Sequence, residues 1–148
     1  MSIEVEAFDV SVPIARLPQA VWSALTDWER GPQWIGGGVE RVDPPAAGTE
    51  NLAAISFYAR GEERVCSVQN CDPPHTLQLV STRGGILATY QYDLARSEDG
   101  NTTIRLRVRV GATGLWRLVR GRVVKAIQAA DREQLDRFRA YAEAWGPR

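Results

Sequence analysis

The stretch ILATYQYDLARSEDGNTTIRLRVRV, residues 86–110, decides the fold. Ile86, Ala88, Tyr90, Tyr92 and Leu94 recur at every second position, against Thr89, Gln91 and Asp93. A period of two sends neighbouring side chains to opposite faces of a strand. Ser97-Glu98-Asp99-Gly100-Asn101 then supplies hairpin-turn chemistry. After it, Ile104, Leu106, Val108 and Val110 alternate with Arg105, Arg107 and Arg109. The arginines mark the solvated face of an antiparallel sheet, where charges are expected and need no function. The opposite, apolar face must be covered by another element.

The cover lies downstream. Gly111-Ala112-Thr113-Gly114 ends the alternation, and the period then changes. From about Leu115 to Trp145, Val119, Val123, Ile127, Ala130, Phe138, Tyr141 and Trp145 form one stripe at helical spacing, joined by Trp116. Gly121 costs about 1 kcal/mol in a helix interior. The long helix therefore begins either near Leu115 or close to Gly121. Glu133 and Arg137 read as an exposed i,i+4 pair worth ~0.3 kcal/mol.

Upstream, Val39–Val42, Glu50–Arg60, Glu62–Asn70 and Thr76–Thr82 read as strands, separated by Pro- and Gly-containing turns. Phe8, Val10, Val12 and Ile14 share one face of a first strand over Ile3–Ile14. Between it and Val39, Pro18 opens a short helix carrying Val21, Trp22, Leu25 and Trp28. Gly31-Pro32 breaks it, and Trp34-Ile35 end a second short helix before Gly36-Gly37-Gly38. The order is strand, two short helices, six strands, long helix. Short turns between consecutive strands give an antiparallel meander. The fold class is α+β, in one domain over 1–148.

Composition bounds the function. The 148 residues are 44% hydrophobic, and 18 basic residues balance 18 acidic ones. Zero net charge gives no global attraction to nucleic acid. Cys66 and Cys71 are five apart, roughly 17 Å in an extended strand and on opposite faces. Two free thiols fit a reducing compartment. With no signal-like N-terminus and no long apolar run, the expectation is a cytoplasmic protein. One histidine and no Cys-x-x-Cys pair leave no metal site to expect, and no nucleotide loop or other cofactor motif is readable. His75, in a turn between strands, is a weak catalytic candidate without a visible partner.

Pro18-Gln19-Ala20-Val21-Trp22-Ser23-Ala24-Leu25-Thr26-Asp27, then Pro32-Gln33-Trp34-Ile35, then the hairpin turn and terminal helix, carry a family likeness. Together they resemble the polyketide cyclase/dehydrase branch of the START-like superfamily. The resemblance implies the helix-grip fold: a curved seven-stranded antiparallel sheet wrapped around the C-terminal helix, with an apolar cavity between them.

Six residues are candidate ligand contacts: Trp34, Phe57, Tyr90, Tyr92, Trp116 and Arg120. Aromatic walls with a few polar groups are what ligand pockets present, and the same aromatics also build ordinary cores. Trp34 and Trp116 adjoin glycine-containing loops, which suits a pocket mouth. Arg120 points toward the stripe if the helix is continuous, and is solvated if Gly121 breaks it. Gln134 is expected to bond a strand backbone.

The first functional expectation is binding or transport of a hydrophobic small molecule, lipid or polyketide-like. The alternative is a cyclase- or dehydratase-type enzyme, with Tyr90, Tyr92 or Arg120 polarising a carbonyl. A third is a protein-interaction module. Residues 115–125 carry Arg117, Arg120, Arg122 and Lys125 among apolar residues, and would meet a membrane surface or an acidic carrier protein. The chain is expected as a monomer or homodimer.

Overall fold

The computed structural model describes residues 4–45, 50 and 52–145. The chain runs β1 (Glu4–Ile14), α1 (Pro18–Leu25), a 3-10 turn (Trp28–Gln33), β2 (Val39–Asp43), β3 (Ala54–Ala59) and β4 (Glu62–Asp72). It continues through β5 (Thr76–Arg83), β6 (Ile86–Arg96), β7 (Thr102–Ala112), a second 3-10 turn (Gly114–Leu118), α2 (Arg120–Asp131) and α3 (Gln134–Ala144). The strands form one antiparallel sheet in the order β1-β7-β6-β5-β4-β3-β2. This is the helix-grip arrangement.

The alternating stretch behaves as its pattern requires. Tyr90, Tyr92 and Leu94 on β6 lie opposite Val108, Leu106 and Ile104 on β7, which lie opposite Phe8, Val10 and Val12 on β1. Directly paired residues share a face, so these rows form the inner surface under the helices. On the outer face, Arg105 pairs with Asp9, and Arg107 with Asp93 at 3.3 Å. The Arg105 guanidinium holds the Asp9 carboxyl below its ordinary pKa.

Bulges in β1 and β4 change which residues face inward. Pairing slips between Glu6 and Phe8, so the adjacent Ala7 and Phe8 are both buried. Pairing also slips between Val68 and Asn70. A bulge inserts one extra residue and shifts the alternation by one. Cys71 therefore faces Leu77 on the same surface as Cys66, not the opposite one as simple counting gave. Both thiols are free.

The first region after β1 also differs from the spacing argument. Pro32 lies inside the 3-10 turn, which ends at Gln33, so Trp34 and Ile35 follow it rather than forming a helix. The expected start of the third strand is only partly described: Ala54–Ala59 is strand, and residues 46–49 and 51 lie outside the described residues.

The closing helix is not one cylinder. Residues 114–118 form a 3-10 turn, and the α-helix starts at Arg120. Gly121 thus sits in the first turn of the helix and not in its interior, where glycine's entropic cost is incurred. A second interruption, at Arg132 and Glu133, separates α2 from α3. Arg137 does not pair with Glu133. Its Nε donates to the Trp34 carbonyl at 3.1 Å and its Nη2 to the Ile35 carbonyl at 3.2 Å. Those two carbonyls precede the triple glycine, all three of which have positive φ.

Candidate ligand-binding site

The two halves of the closing helix meet the sheet differently. On α3, Gln134, Leu135, Phe138 and Ala142 are buried. On α2, among its described residues, none is fully buried, and Val123, Val124 and Ile127 are only half-buried against the core. Hydrogen bonds hold α2 instead. Gln128 Nε2 donates to the Ala7 carbonyl, at the β1 bulge, at 2.7 Å. At the end of the helix, Tyr90 donates its hydroxyl to Asp131 Oδ2, also at 2.7 Å.

The pairing with β6 has a geometric basis. Tyr90 and Tyr92 are two apart on a strand, roughly 7 Å along one face. Asp131 and Gln134 are three apart across the helix break, on the same side. The two spacings match, and each tyrosine meets one partner. Tyr92 donates to Gln134 Oε1 at 2.5 Å, and Gln134 Nε2 donates to the Ile35 carbonyl at 3.2 Å. Gln134 thus bonds a side chain and a loop carbonyl, not the strand backbone expected from sequence.

Of these two bridges, Tyr92–Gln134 is buried and Tyr90–Asp131 is part-buried. Burial pushes the Asp131 carboxyl above its ordinary pKa, with Tyr90, Arg137 and Arg64 opposing. Burial and the Asp131 charge raise both tyrosines well above the usual phenol range. Cys66 lies close enough for its charge to act on both phenols, and burial pushes its thiol up to about 11. Arg64 shares this face, because it pairs with Phe57, and Phe57 is a neighbour of the inward Ile55–Cys66 pair.

The six sequence candidates therefore separate. Phe57, Tyr90 and Tyr92 line the inner surface, with Phe57 edge-on to Trp28 at 6.2 Å. Trp34 is not at a mouth. It is 1% exposed and packs against Phe138, 4.8 Å between ring centroids, and Tyr92. Trp116 leaves the helix stripe and covers the Gly84-Gly85 turn, where a Cβ on either glycine would overlap its ring. Arg120 is half-buried at the start of α2 and engaged in an interaction there.

Asp131 and Arg64 were not singled out from sequence. Asp131 had a readable signal: it follows the stripe residue Ile127 by four, so a carboxylate stands at a core-facing phase. Arg64 had none, since its facing depends on the β3–β4 register. His75 is exposed and lies 3.8 Å from Asp72 at the opposite end of the sheet, beside a surface hollow of about 570 Å³ lined in part by Pro18 and Leu94. A second hollow, about 480 Å³, lies between β1 and the α2–α3 break.

The arrangement offers an apolar surface under a loosely seated helix, with a carboxyl, a phenol, a thiol and a guanidinium at one side. That set can hold an apolar body and orient one polar group on it.

Comparison with known proteins agrees with this fold. The fold matches a Staphylococcus aureus protein of unknown function with a TM-score of 0.73 at 10% identity, covering 96% of this chain and 95% of that one. It matches Ara h 8.0201 with a TM-score of 0.68 at 13% identity, covering 95% of this chain and 98% of that one. It also matches the di-domain ARO/CYC StfQ of the steffimycin biosynthetic pathway, TM-score 0.73 at 13% identity, covering 95% of this chain and 51% of StfQ. No curated protein matches by sequence. The family described as polyketide cyclase / dehydrase and lipid transport matches residues 6–143, nearly the whole chain, and the chain belongs to it.

Proposed function

We propose that this protein is a cytoplasmic carrier that binds a hydrophobic small molecule, lipid or polyketide-like, between α2 and the inner face of the sheet. The observation that carries the reading is the seating of α2. Val123, Val124 and Ile127 pack against the core yet stay half-buried, over an inner face on which Phe57 and Tyr90 are also half-buried. An apolar face that its own fold leaves incompletely covered gains about 25 cal/mol for each Å² that a ligand removes from water. Trp34, Tyr92 and Phe138 belong to the filled end and form the floor of the site.

A neutral apolar dye, phenylnaphthylamine, tests this. Its fluorescence is expected to rise on binding the wild type. Val124→Trp adds bulk on the core-facing side of α2 and is expected to weaken dye binding about tenfold or more, the equivalent of ~1.4 kcal/mol. Unchanged dye affinity in Val124→Trp would remove the site from this location. Native mass spectrometry after incubation with a cell lipid extract then identifies the ligand class.

The Tyr90–Asp131 pair favours a second reading, an acid–base enzyme of the cyclase type. The Asp131 carboxylate would take a proton from a carbon flanked by two carbonyls. The electron pair left on that carbon would form a C–C bond to another carbonyl of the same chain, whose oxygen would receive the proton. Tyr90 would hold the carboxylate in place through its one O–H donor. With a linear poly-β-ketone, ring product from the wild type and none from Asp131→Asn would establish this reading. Equal product from both would discard it.

A further inference from the structure

One end of the sheet gathers features that ligand binding does not use. The register places the β3–β4 turn, the β5–β6 turn and the end of β7 together there, since Ala59 pairs with Glu62, Arg83 with Ile86, and Ile86 with Ala112. The Gly114–Leu118 turn follows β7 directly and leads into α2. This turn therefore projects at the α2 end, the end where the inner face is incompletely covered.

The turn exposes its apolar residues. Leu115 is 83% exposed, Leu118 82% and Trp116 46%. Single exposed leucines are ordinary on a surface. Two leucines and a tryptophan within four residues of one projecting turn are not. Along the chain segment that carries them the charge has one sign. Residues 113–130 contain Arg117, Arg120, Arg122 and Lys125 and no acidic residue. Arg117, Arg122 and Lys125 are exposed. The whole chain has no net charge, so this cluster is a local positive field and not a reflection of composition.

We infer that the Gly114–Leu118 turn and the first turns of α2 form a docking tip for an anionic bilayer surface. Leu115 and Leu118 enter the interface between headgroups and acyl chains, and Trp116 sits at headgroup depth, where indole rings are favoured. Arg117, Arg122 and Lys125 meet the anionic headgroups. A stable protein partner engages roughly 20–30 residues a side, and this tip offers a short run of exposed residues. A bilayer needs no complementary pocket, so a short protruding turn suffices. No helix among the described residues is long and apolar enough to cross a membrane, so the contact is peripheral. Docking in this orientation points the uncovered end of the site at the membrane, which supplies a route for an apolar ligand. In that respect alone the inference rests on the carrier reading.

Flotation with phosphatidylcholine vesicles, with and without phosphatidylglycerol, tests the tip. The wild type is expected to bind the anionic vesicles at least about tenfold more tightly than the neutral ones, and to lose that advantage in high salt. The double variant Leu115→Ser/Leu118→Ser is expected to lose binding to anionic vesicles while keeping its melting temperature and its affinity for phenylnaphthylamine in vesicle-free solution. Arg122→Glu/Lys125→Glu is expected to weaken anionic binding and leave neutral binding unchanged. Absence of wild-type flotation with anionic vesicles overturns the inference, as does flotation that survives Leu115→Ser/Leu118→Ser. A concentration-dependent dimer abolished by the same pair of substitutions would assign the tip to a second copy and also overturn it. Failure of the dye to bind the wild type would break the carrier reading and leave flotation unaffected, so the two can fail separately.

Discussion

The α3 half and the α2 half of the closing helix cover the same sheet by different means. α3 buries Leu135, Phe138 and Ala142 and is tied to the β1–α1 connection, where Ala15 N–H donates to Glu143 Oε2 at 2.9 Å. Arg16 adds bonds from Nη2 to the Glu143 and Trp145 carbonyls at 3.0 and 2.8 Å. α2 buries no residue fully and is held through Gln128 and Asp131. Apolar burial is non-directional and accumulates with area. A hydrogen bond adds only about 0.5–1.5 kcal/mol net. The first half is therefore set by packing, and the second can shift by exchanging a few bonds. Regions of low local stability are where ligand access is expected. The break at Arg132 and Glu133 separates the two behaviours.

The largest expected effect sharpens this contrast. Phe138 is fully buried between Trp34 and Tyr141. Phe138→Ala should cost about 3–5 kcal/mol in urea denaturation. Ile127→Ala, at the half-buried end, should cost about 1 kcal/mol, because the site already has water on one side. Comparable losses at the two positions would mean that α2 is as firmly packed as α3.

How far the sequence reveals this contrast depends on the residue. Strand alternation and the stripe from Val123 to Trp145 identify the sheet, its inner face and its cover, because a two-residue and a 3.6-residue period are local properties. The stripe does not reveal that its two halves are buried unequally, since exposure depends on the curvature of strands far away in sequence. Trp34 shows the same limit. Its neighbouring glycines place it at a loop, and only the packing of α3 places it in the core. Cys71 shows another: one inserted residue in β4 reverses its facing, and no turn residue announces the bulge. Tyr90 and Tyr92 are legible as inward-facing, while their partners become visible only when the helix is laid over β6.

Intermediate effects belong to the bridge between the halves. Tyr92→Phe leaves the buried Gln134 Oε1 without its donor. The expected cost is about 1–3 kcal/mol, and adding Gln134→Leu should recover part of it. A larger loss from Tyr90→Phe than from Tyr92→Phe would reverse the assignment of structural and functional ends. Gly36 has φ +78° and lies against the Arg137 guanidinium. Gly36→Ala should cost about 1–2 kcal/mol through the left-handed backbone, plus the displaced Arg137 bonds. Combining it with Arg137→Ala should show a loss smaller than the sum, read by the same denaturation series.

The smallest effect is at Asp131, and its sign carries the information. Burial raises its folded pKa above the ordinary value of 3.8. The protonated carboxyl is thus the form that the fold prefers. Its stabilising contribution is fully present below the unfolded pKa and is lost as pH rises through the raised folded pKa. Asp131→Asn keeps an acceptor for Tyr90 and has no proton to lose. The variant should therefore match the wild type in acid and become more stable than it toward neutral pH, by on the order of 0.5 kcal/mol. The gap should open through the upper carboxylate range and stay constant above it. A group whose ionised form costs stability at the open end of the molecule is the behaviour expected where function sets the residue. If Asp131→Asn is instead less stable at neutral pH, Arg64 and Arg137 hold an ionised carboxylate there. The α2 end would then be secured by charge pairing, and its looseness would extend no further than its apolar residues.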